Sequence, residues 1–152
     1  MKQIQITLTP PESKRIIAMG VKKLPIIQQA LEKGIILITL GTTNSYVAEE
    51  LTGKKIDHSR YAAGYIGQTA MVVPNDKRLP AIALKKGKEV NADNILNEMT
   101  SQDVVIKGAN ALDLDGVAGV MMANPTGGTT GGFIGTVRLL QHINHPIVFV
   151  GI

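Results

Sequence analysis

The sequence predicts a three-layer α/β domain, in which a mainly parallel sheet is covered by helices on both faces. Residues 35–40 and 103–107 are largely apolar runs that do not alternate, which is typical of strands buried on both faces of a sheet. Segments with helical periodicity alternate with these runs, and that alternation favours parallel strands. The chain has 152 residues and no repeat or linker, so we expect a single α/β domain over residues 1–152.

The first elements follow from periodicity and from residues that begin or end helices. Residues 3–8 alternate polar and apolar side chains, which predicts a half-buried strand. Thr9-Pro10-Pro11-Glu12 predicts a helix start, because proline is tolerated in a first turn and an acid suits its positive end. A second helix is expected over about 25–33, with Gly34 as the residue that ends it.

The rest of the chain predicts further short elements. After the strand at 35–40 come a glycine turn and a helix over 45–51. The later elements, in chain order, are a bent strand or a loop and strand at 61–73, a turn at 74–76, a short strand at 81–84, a helix at 91–99, the strand at 103–107, a strand at 117–122, a helix at about 133–143 and a last strand at 146–150.

Composition narrows the class of protein. The chain contains no cysteine, which excludes disulfide frameworks and thiolate metal sites. The N-terminus lacks the apolar stretch of a signal peptide, and no apolar run approaches the ~20 residues that span a bilayer. We therefore expect a cytoplasmic protein that does not bind membranes.

The net charge of +4 is unevenly distributed. Residues 53–90 hold eight basic and three acidic residues, a local charge of +5. Such a segment suits nucleic acid or an anionic ligand, although a solvated lysine surface is the simpler interpretation. Nucleic acid is the less favoured partner, because proteins that bind single strands add stacking aromatic residues, and only Tyr61 and Tyr65 are available here.

The turn Gly41-Thr42-Thr43-Asn44 is the sharpest local feature of the sequence. Glycine lets the backbone leave the strand at an angle that other residues resist, and the threonines offer hydroxyl groups. Asn44 or Ser45 is expected to cap the helix that follows, whose N-terminus adds unpaired N–H groups and a partial positive charge. Together these features predict a pocket for a phosphate or carboxylate, although a plain capped helix would carry the same residues.

A second glycine-rich region strengthens the prediction of a ligand site. Eight of the 16 glycines lie between Gly108 and Gly135. Ordering such a stretch costs extra chain entropy, which close approach of the backbone to a ligand would explain. It is not a nucleotide P-loop, because Phe133 rather than lysine follows Gly132. The candidate ligand-binding residues here are Gly108, Asn110, Thr126, Gly127, Gly128, Thr129 and Thr130.

Few side chains are candidates for chemistry. Lys107, at a strand end, is placed to pair with a phosphate or carboxylate. Asp113 and Asp115 are candidates for a general base or for hydrogen bonds to sugar hydroxyls, but turn formation beside a glycine explains them equally well. His142 and His145 have no second pair of ligands nearby in sequence, so we expect no metal, and nothing indicates a cofactor.

These two strand–turn segments resemble a superfamily that includes ribose-5-phosphate isomerase, glucosamine-6-phosphate deaminase, sugar-sensing repressor ligand domains, translation initiation factor 2B subunits and CoA transferases. The resemblance lies in Gly41-Thr42-Thr43 and in Gly108-Ala109-Asn110-Ala111-Leu112-Asp113, within about residues 35–52 and 103–150. It implies a Rossmann-like fold, similar to the isomerases and CoA transferases, with a ligand phosphate at the first turn.

The sequence departs from the isomerase pattern at the positions that carry acids. Lys107 and Asn110 stand where the pattern has the first two acids, and Ala111 stands where it has a glutamate. Only Asp113 matches. Neither an amide nor alanine serves as a general base near neutral pH, so the resemblance implies ligand binding more than isomerase chemistry.

Three functions remain open at this point. The first is a domain that binds or senses a small anionic metabolite, such as a sugar phosphate, a carboxylate or a CoA-like compound. The second is an enzyme of the sugar-phosphate isomerase or acyl/CoA transferase type that uses Asp113, Asp115 and Lys107. The third is a subunit that binds protein or nucleic acid through residues 53–90. We expect a homo-oligomer, which is the common state of small cytoplasmic domains.

Overall fold

The computed structural model describes residues 3–66, 68–100, 102–122, 125–128, 130–133 and 147–149. Only the backbone is described for Ile66 and for residues 147–149. The helices are α1 (Pro10–Lys23), α2 (Pro25–Lys33) and α3 (Thr42–Thr52). The strands are β1 (Ile35–Ile38), β2 (Gly64–Ile66), β3 (Ala70–Val72), β4 (Ile82–Lys85), β5 (Lys88–Val90), β6 (Val104–Lys107), β7 (Ala111–Leu112), β8 (Ala118–Gly119) and β9 (Ile147–Phe149). Two 3-10 turns lie at Asn75–Lys77 and Ile95–Asn97, and residues 130–133 are helical.

Five of these strands form one mixed sheet, in the order β5-β4-β1-β6-β9. β1 runs parallel to β6, and β6 runs parallel to β9. β4 runs antiparallel to β1, and β5 antiparallel to β4. Two separate antiparallel ribbons, β2–β3 and β7–β8, lie outside this sheet.

The predicted three-layer, mainly parallel sheet is therefore wrong. Half of the strand pairs in the central sheet are antiparallel. β5 runs antiparallel to β4, because the two-residue turn at Lys86-Gly87 is too short for the crossover that parallel strands require. Before that turn, β4 also enters antiparallel: Ile82 at its start faces Ile38 at the end of β1. The chain between α3 and β4 thus returns to the edge where β1 ends, instead of crossing over.

The helices are also arranged differently from the prediction. All three helices contribute to one apolar cluster on one face of the sheet, which contains Ile36 and Ile38 of β1. The alternate residues Ile35 and Leu37 point to the other face, where Ile95 and Phe133 pack instead. Within the described residues, α1, α2 and α3 therefore all cover one face, and the short helical segment at 130–133 contributes Phe133 to the other. None of these helices is long and apolar enough to cross a membrane.

The predicted start of α1 is confirmed. The Glu12 carboxylate accepts hydrogen bonds from the Thr9 backbone N–H at 2.8 Å and from the Thr9 hydroxyl at 2.6 Å. These are the contacts of a capping box, and they lower the pKa of Glu12. α2 and its end at Gly34 also match the prediction. Gly34 is required by close approach, since a Cβ there would lie 2.7 Å from a carboxylate oxygen of Asp103.

Other predicted elements differ in extent or in kind. Residues 3–8 belong to no strand and are exposed, and α3 begins at Thr42 rather than at Ser45. The helix predicted at 91–99 is only the 3-10 turn described above. The strand predicted at 117–122 is reduced to β8, whereas β9 confirms the last strand. Most of the helix predicted at 133–143 lies outside the described residues.

Tyr61 connects three parts of the fold. Its side chain is fully buried, and its hydroxyl donates to the Ile38 carbonyl at 2.6 Å while accepting from the Ile82 N–H at 3.1 Å. Burial raises the pKa of this hydroxyl, so it stays protonated. The Tyr61 carbonyl also accepts from the Gly41 N–H at 2.9 Å. The residue therefore joins β1, β4 and the glycine turn.

We expect Tyr61→Phe to lower the free energy of unfolding by about 1–3 kcal/mol, because it removes the buried hydrogen bond to the Ile38 carbonyl and leaves the half-buried Ile82 N–H without this acceptor. Urea denaturation followed by circular dichroism measures the change. The matched control is Tyr65→Phe, at a half-buried position in β2. Equal stability of the two variants would contradict this role for Tyr61.

Candidate functional site

The parallel pairing of β1 and β6 brings two of the predicted site segments to one edge of the sheet. The register places Ile38 beside Ile106, and the Thr39 N–H continues the pairing by donating to the Ile106 carbonyl at 3.1 Å. The Gly41–Asn44 turn follows β1, and Lys107-Gly108 ends β6. Both segments therefore leave the sheet at the edge where ligands commonly bind in α/β proteins.

The buried side chain of Asn44 holds the end of β1 in place by hydrogen bonds. Its side chain is fully buried, and its amide Nδ2 donates to the Thr39 carbonyl at 2.7 Å. The same nitrogen lies 3.2 Å from the Thr39 hydroxyl and 3.5 Å from the Ile106 carbonyl oxygen. Asn44 is the third residue of α3 and does not cap it, which corrects the expected capping role. The side chain instead holds the end of β1, the turn and the end of β6 together.

The Asn44 amide packs closely against Gly41, where there is little room for a side chain. A Cβ atom on Gly41 would lie 3.3 Å from Cγ of Asn44, tighter than ordinary contact. The amide oxygen Oδ1 of Asn44 is buried, and no donor reaches it from the described part of the chain. A buried acceptor without a donor costs free energy, so this turn holds unsatisfied hydrogen-bonding capacity.

The first turn of α3 presents unpaired backbone donors. Ser45 is the first residue of α3 whose N–H is paired, to the Gly41 carbonyl at 2.9 Å. Among the described residues, no acceptor is found for the N–H groups of Thr42, Thr43 and Asn44, as expected for the start of a helix. Thr42 is half-buried, whereas the Thr43 side chain is buried. This end of α3 therefore carries a partial positive charge.

Lys107 adds a full positive charge at the same edge. The residue is half-buried, and its Nζ donates to the carbonyl of its neighbour Gly108 at 2.9 Å. Within the ranges that the structure describes, no carboxylate lies within ion-pairing distance of it. Burial lowers the pKa of the Lys107 ammonium, since desolvation disfavours its charged form. An uncompensated, partly desolvated cation at this end of β6 favours an anion.

The candidate residues after Gly108 build the β7–β8 ribbon. Asn110 donates its N–H to the Gly119 carbonyl, and its side-chain oxygen accepts from the Met121 N–H, both at 2.8 Å. One oxygen of Asp113 accepts from the N–H groups of Asp115 and Val117 at 3.0 and 2.8 Å. Asp113 therefore shapes the turn, as the alternative interpretation of the sequence proposed, and Asp115 is exposed within that turn.

The second glycine-rich loop has its own local structure. Gly127 and Gly128 have positive φ values of 79° and 52°, and the Gly131 N–H donates to the Gly127 carbonyl at 2.9 Å. A Cβ on Gly131 would lie 1.8 Å from the Thr126 carbonyl oxygen, so the backbone requires glycine there. Thr130 is half-buried. Thr129 lies outside the described residues.

The described residues of this loop show few links to the first turn. No backbone hydrogen bond joins residues 125, 127, 128 or 130 to Thr42, Thr43 or Asn44. Phe133, just after the loop, packs on the face of the sheet opposite to α3. The structure thus brings the Gly41–Asn44 turn and the end of β6 at Lys107-Gly108 to one edge, and a place for the 126–130 loop in the same site stays a prediction.

A cluster that the sequence did not indicate lies one turn further along α3. Nδ1 of His58 is 2.8 Å from the Ser45 hydroxyl oxygen, and its Nε2 is 3.6 Å from a carboxylate oxygen of Glu49. The His58 ring stacks on Tyr46 with 4.0 Å between ring centroids. Arg15 of α1 pairs with both Glu49 and Glu50. Ser45 and Glu49 are four residues apart and so share a helix face, which was the available signal.

This serine, histidine and glutamate are positioned for structure rather than for nucleophilic catalysis. Ser45 is fully buried, and its hydroxyl donates to the Thr42 carbonyl at 2.6 Å. A nucleophile needs a path to its substrate, and a hydroxyl that is enclosed and hydrogen-bonded to backbone has none. The cluster instead attaches α1 and the segment around residues 56–58 to the first turns of α3.

Glu49 is the electrostatic centre of this cluster. Burial alone would raise the pKa of its carboxyl group, but a hydrogen bond from the Ile56 N–H at 3.0 Å and the pairing with Arg15 outweigh burial. The pKa of Glu49 is therefore lowered on folding. The ionised carboxylate stabilises the contact between α1 and α3.

Comparison with known proteins adds no relative: no family model matches the sequence, and neither the curated proteins nor the solved structures contain a significant match to it.

We expect Asn44→Asp to destabilise the fold more than Asn44→Leu does. Leucine removes the donor to the Thr39 carbonyl, at a cost of about 2 kcal/mol, whereas aspartate places a buried charge against carbonyl oxygens. Denaturation in urea at pH 7 measures both variants, with the exposed substitution Asn97→Asp as control. If Asn44→Asp were as stable as the control, Asn44 would not fasten this edge.

The lowered pKa of Glu49 predicts a specific pH dependence of stability. Because its folded pKa lies below the unfolded value, its contribution is complete above the unfolded pKa of about 4.3 and is lost as the pH falls towards the folded pKa. The stability difference between wild type and Glu49→Gln is therefore largest at neutral pH and shrinks as the pH falls below about 4. Denaturant titrations from pH 7 to 3 measure it, with the exposed Glu32→Gln as control. A pH-independent difference would refute the assignment.

Proposed function

We propose that this protein binds a small anionic metabolite, with a phosphate or carboxylate group, at the edge where β1 and β6 end. The observation that carries the proposal is the half-buried Lys107 ammonium, which no carboxylate neutralises among the described residues. The unpaired N–H groups of Thr42, Thr43 and Asn44 lie at the start of α3, which follows the end of β1 at the same edge of the sheet. A ligand anion would compensate both features at once.

The electrostatics of Lys107 support an anion in particular. Desolvation without a counter-ion is unfavourable for an ammonium group, and an anion close to Nζ would stabilise its charged form. Binding would therefore raise the pKa of Lys107 towards its ordinary value. A neutral ligand would leave the cost of partial burial in place.

In this proposal, the anion is bound mainly by backbone N–H groups of the Gly41–Asn44 turn and less by its side chains. Asn44 is fully buried, so its part in the proposal is to hold the turn and fix the direction of its N–H groups. Of the two threonines in the turn, Thr42 is the more exposed, since it is half-buried whereas Thr43 is buried. The resemblance of Gly41-Thr42-Thr43 to phosphate-binding turns agrees with this assignment.

The two other functions have less support. The enzyme hypothesis relies on Asp113 as a base, but this carboxylate already accepts two backbone N–H groups within its own turn. The interaction hypothesis relies on the basic segment, in which Arg60 and Arg78 donate to the carbonyls of Lys77 and Val73. An open cavity of about 410 Å³ adjoins Arg60, but its lining also includes apolar residues and Asp76.

Calorimetric titration with inorganic phosphate, sugar phosphates and small carboxylates tests the proposal. We expect Lys107→Met to weaken binding of the best anion at least tenfold, about 1.4 kcal/mol, because the counter-charge is lost. Lys33→Met removes the same charge from the exposed end of α2 and should change the dissociation constant less than about twofold.

Two outcomes would reject this function. One is the absence of binding by any of these anions at millimolar concentration. The other is equal binding by Lys107→Met and wild type, which would move the anion to another place. Circular dichroism of each variant confirms that it is folded.

A further inference from the structure

Residues 3–8, here called the arm, precede α1 and pair with none of the described strands. Their backbone groups make no hydrogen bond with any described residue, and each of the six residues is exposed. Ile4, Ile6 and Leu8 alternate along the arm and are 83%, 73% and 43% exposed. None of the residues from Gln3 to Thr9 is charged. The arm therefore has the side-chain pattern of a half-buried strand, without the surface that would bury it.

The β7–β8 ribbon presents the complementary surface. Five of its residues or near neighbours are large, apolar and more than half exposed: Leu112, Leu114, Val117, Met121 and Met122. A two-stranded ribbon on its own is marginally stable in water. In the described part of the chain, no third strand pairs with either of its outer edges. Five large apolar side chains exposed within eleven residues are a feature of surfaces that bind a partner.

We propose that two copies of this chain exchange their arms, so that residues 3–8 of each copy pack on the β7–β8 ribbon of the other. The arm supplies unpaired backbone groups and one apolar face, and the ribbon supplies open edges and apolar side chains. Addition of a strand to an exposed edge is a common mode of recognition. Every copy carries both halves of this contact, so a two-fold exchange satisfies both at once.

The available surface is sufficient for a stable dimer. At their observed exposures, the three arm residues and the five ribbon residues present on the order of 1,000 Å² per copy, against the ~800 Å² that each partner contributes to a standard-size interface. Residues 3–9 extended span roughly 23 Å, enough to reach across to a neighbouring molecule. The arm has no charge to desolvate, and the two carboxylates near the ribbon, those of Asp113 and Asp115, lie in the turn on either side of Leu114.

Sedimentation equilibrium of the full chain tests this dimer. Protein concentrations of roughly 1–200 µM cover the weak end of the dissociation constants that interfaces of this size show. The arm variant is Ile4→Ser/Ile6→Ser, and the ribbon variant is Leu114→Ser/Met121→Ser. We expect each to raise the dimer dissociation constant at least 100-fold. The control Ile16→Ser/Met19→Ser removes two exposed apolar residues from α1 and should leave the constant unchanged. All of these positions are exposed, and circular dichroism verifies folding of each variant.

Mixing the two variants distinguishes arm exchange from other dimers. Neither variant can form an intact contact with itself, but a mixed pair regains one intact arm–ribbon contact, so a 1:1 mixture should dimerise at least tenfold more tightly than either variant alone. A ribbon-to-ribbon dimer would not show this recovery. A monomeric wild type, an arm variant that dimerises normally, or a mixture without recovery would each overturn the proposal. Because Lys107 and α3 take no part, these outcomes are independent of anion binding.

Discussion

The parallel pairing of β1 with β6 is the constraint on which the rest of this structure depends. Buried polar side chains fix it at both ends. At the start, the Asp103 carboxylate accepts from the Ile35 N–H at 2.5 Å and also from the Thr100 N–H and hydroxyl. At the end, the Asn44 amide donates to the Thr39 carbonyl, and the Thr39 hydroxyl donates to the Ile106 carbonyl at 2.9 Å. Because every residue of β1 is buried, its apolar pattern does not select one register, whereas these directional bonds do.

The candidate site is a consequence of that pairing. Two strands that are adjacent and parallel end at one edge, so α3 begins and Lys107 ends β6 at the same edge of the sheet, although more than 60 residues separate them in sequence. The cluster of Arg15, Glu49 and His58 then attaches α1 and the 56–58 segment to the same helix. The orientation of the α3 N–H groups is thus supported from both sides of the helix, which is what a binding site on a short turn requires.

Local signals in the sequence predicted the local structure well. The proline and glutamate after Thr9 identified the start of α1, Gly34 identified the end of α2, and the apolar runs identified β1, β6 and β9. Sheet direction was not predictable in this way, because an apolar run fits a parallel or an antiparallel neighbour equally well. The helix predicted at 91–99 failed because its apolar spacing also fits a 3-10 turn, which covers the second face of the sheet with Ile95.

The sequence by itself determined where the glycine turns lie, that the apolar runs at 35–40 and 103–107 contain buried strands, and that Lys107 ends a strand. These properties depend on neighbours within a few residues, whose conformational preferences act before any tertiary contact forms. Only the tertiary structure decided that Asn44 is an internal clamp, that Asp113 shapes a ribbon, and that residues 3–8 have no sheet of their own. Each of those outcomes depends on which distant backbone groups reach a side chain, and hydrogen-bond partners at that separation leave no periodic trace in the sequence.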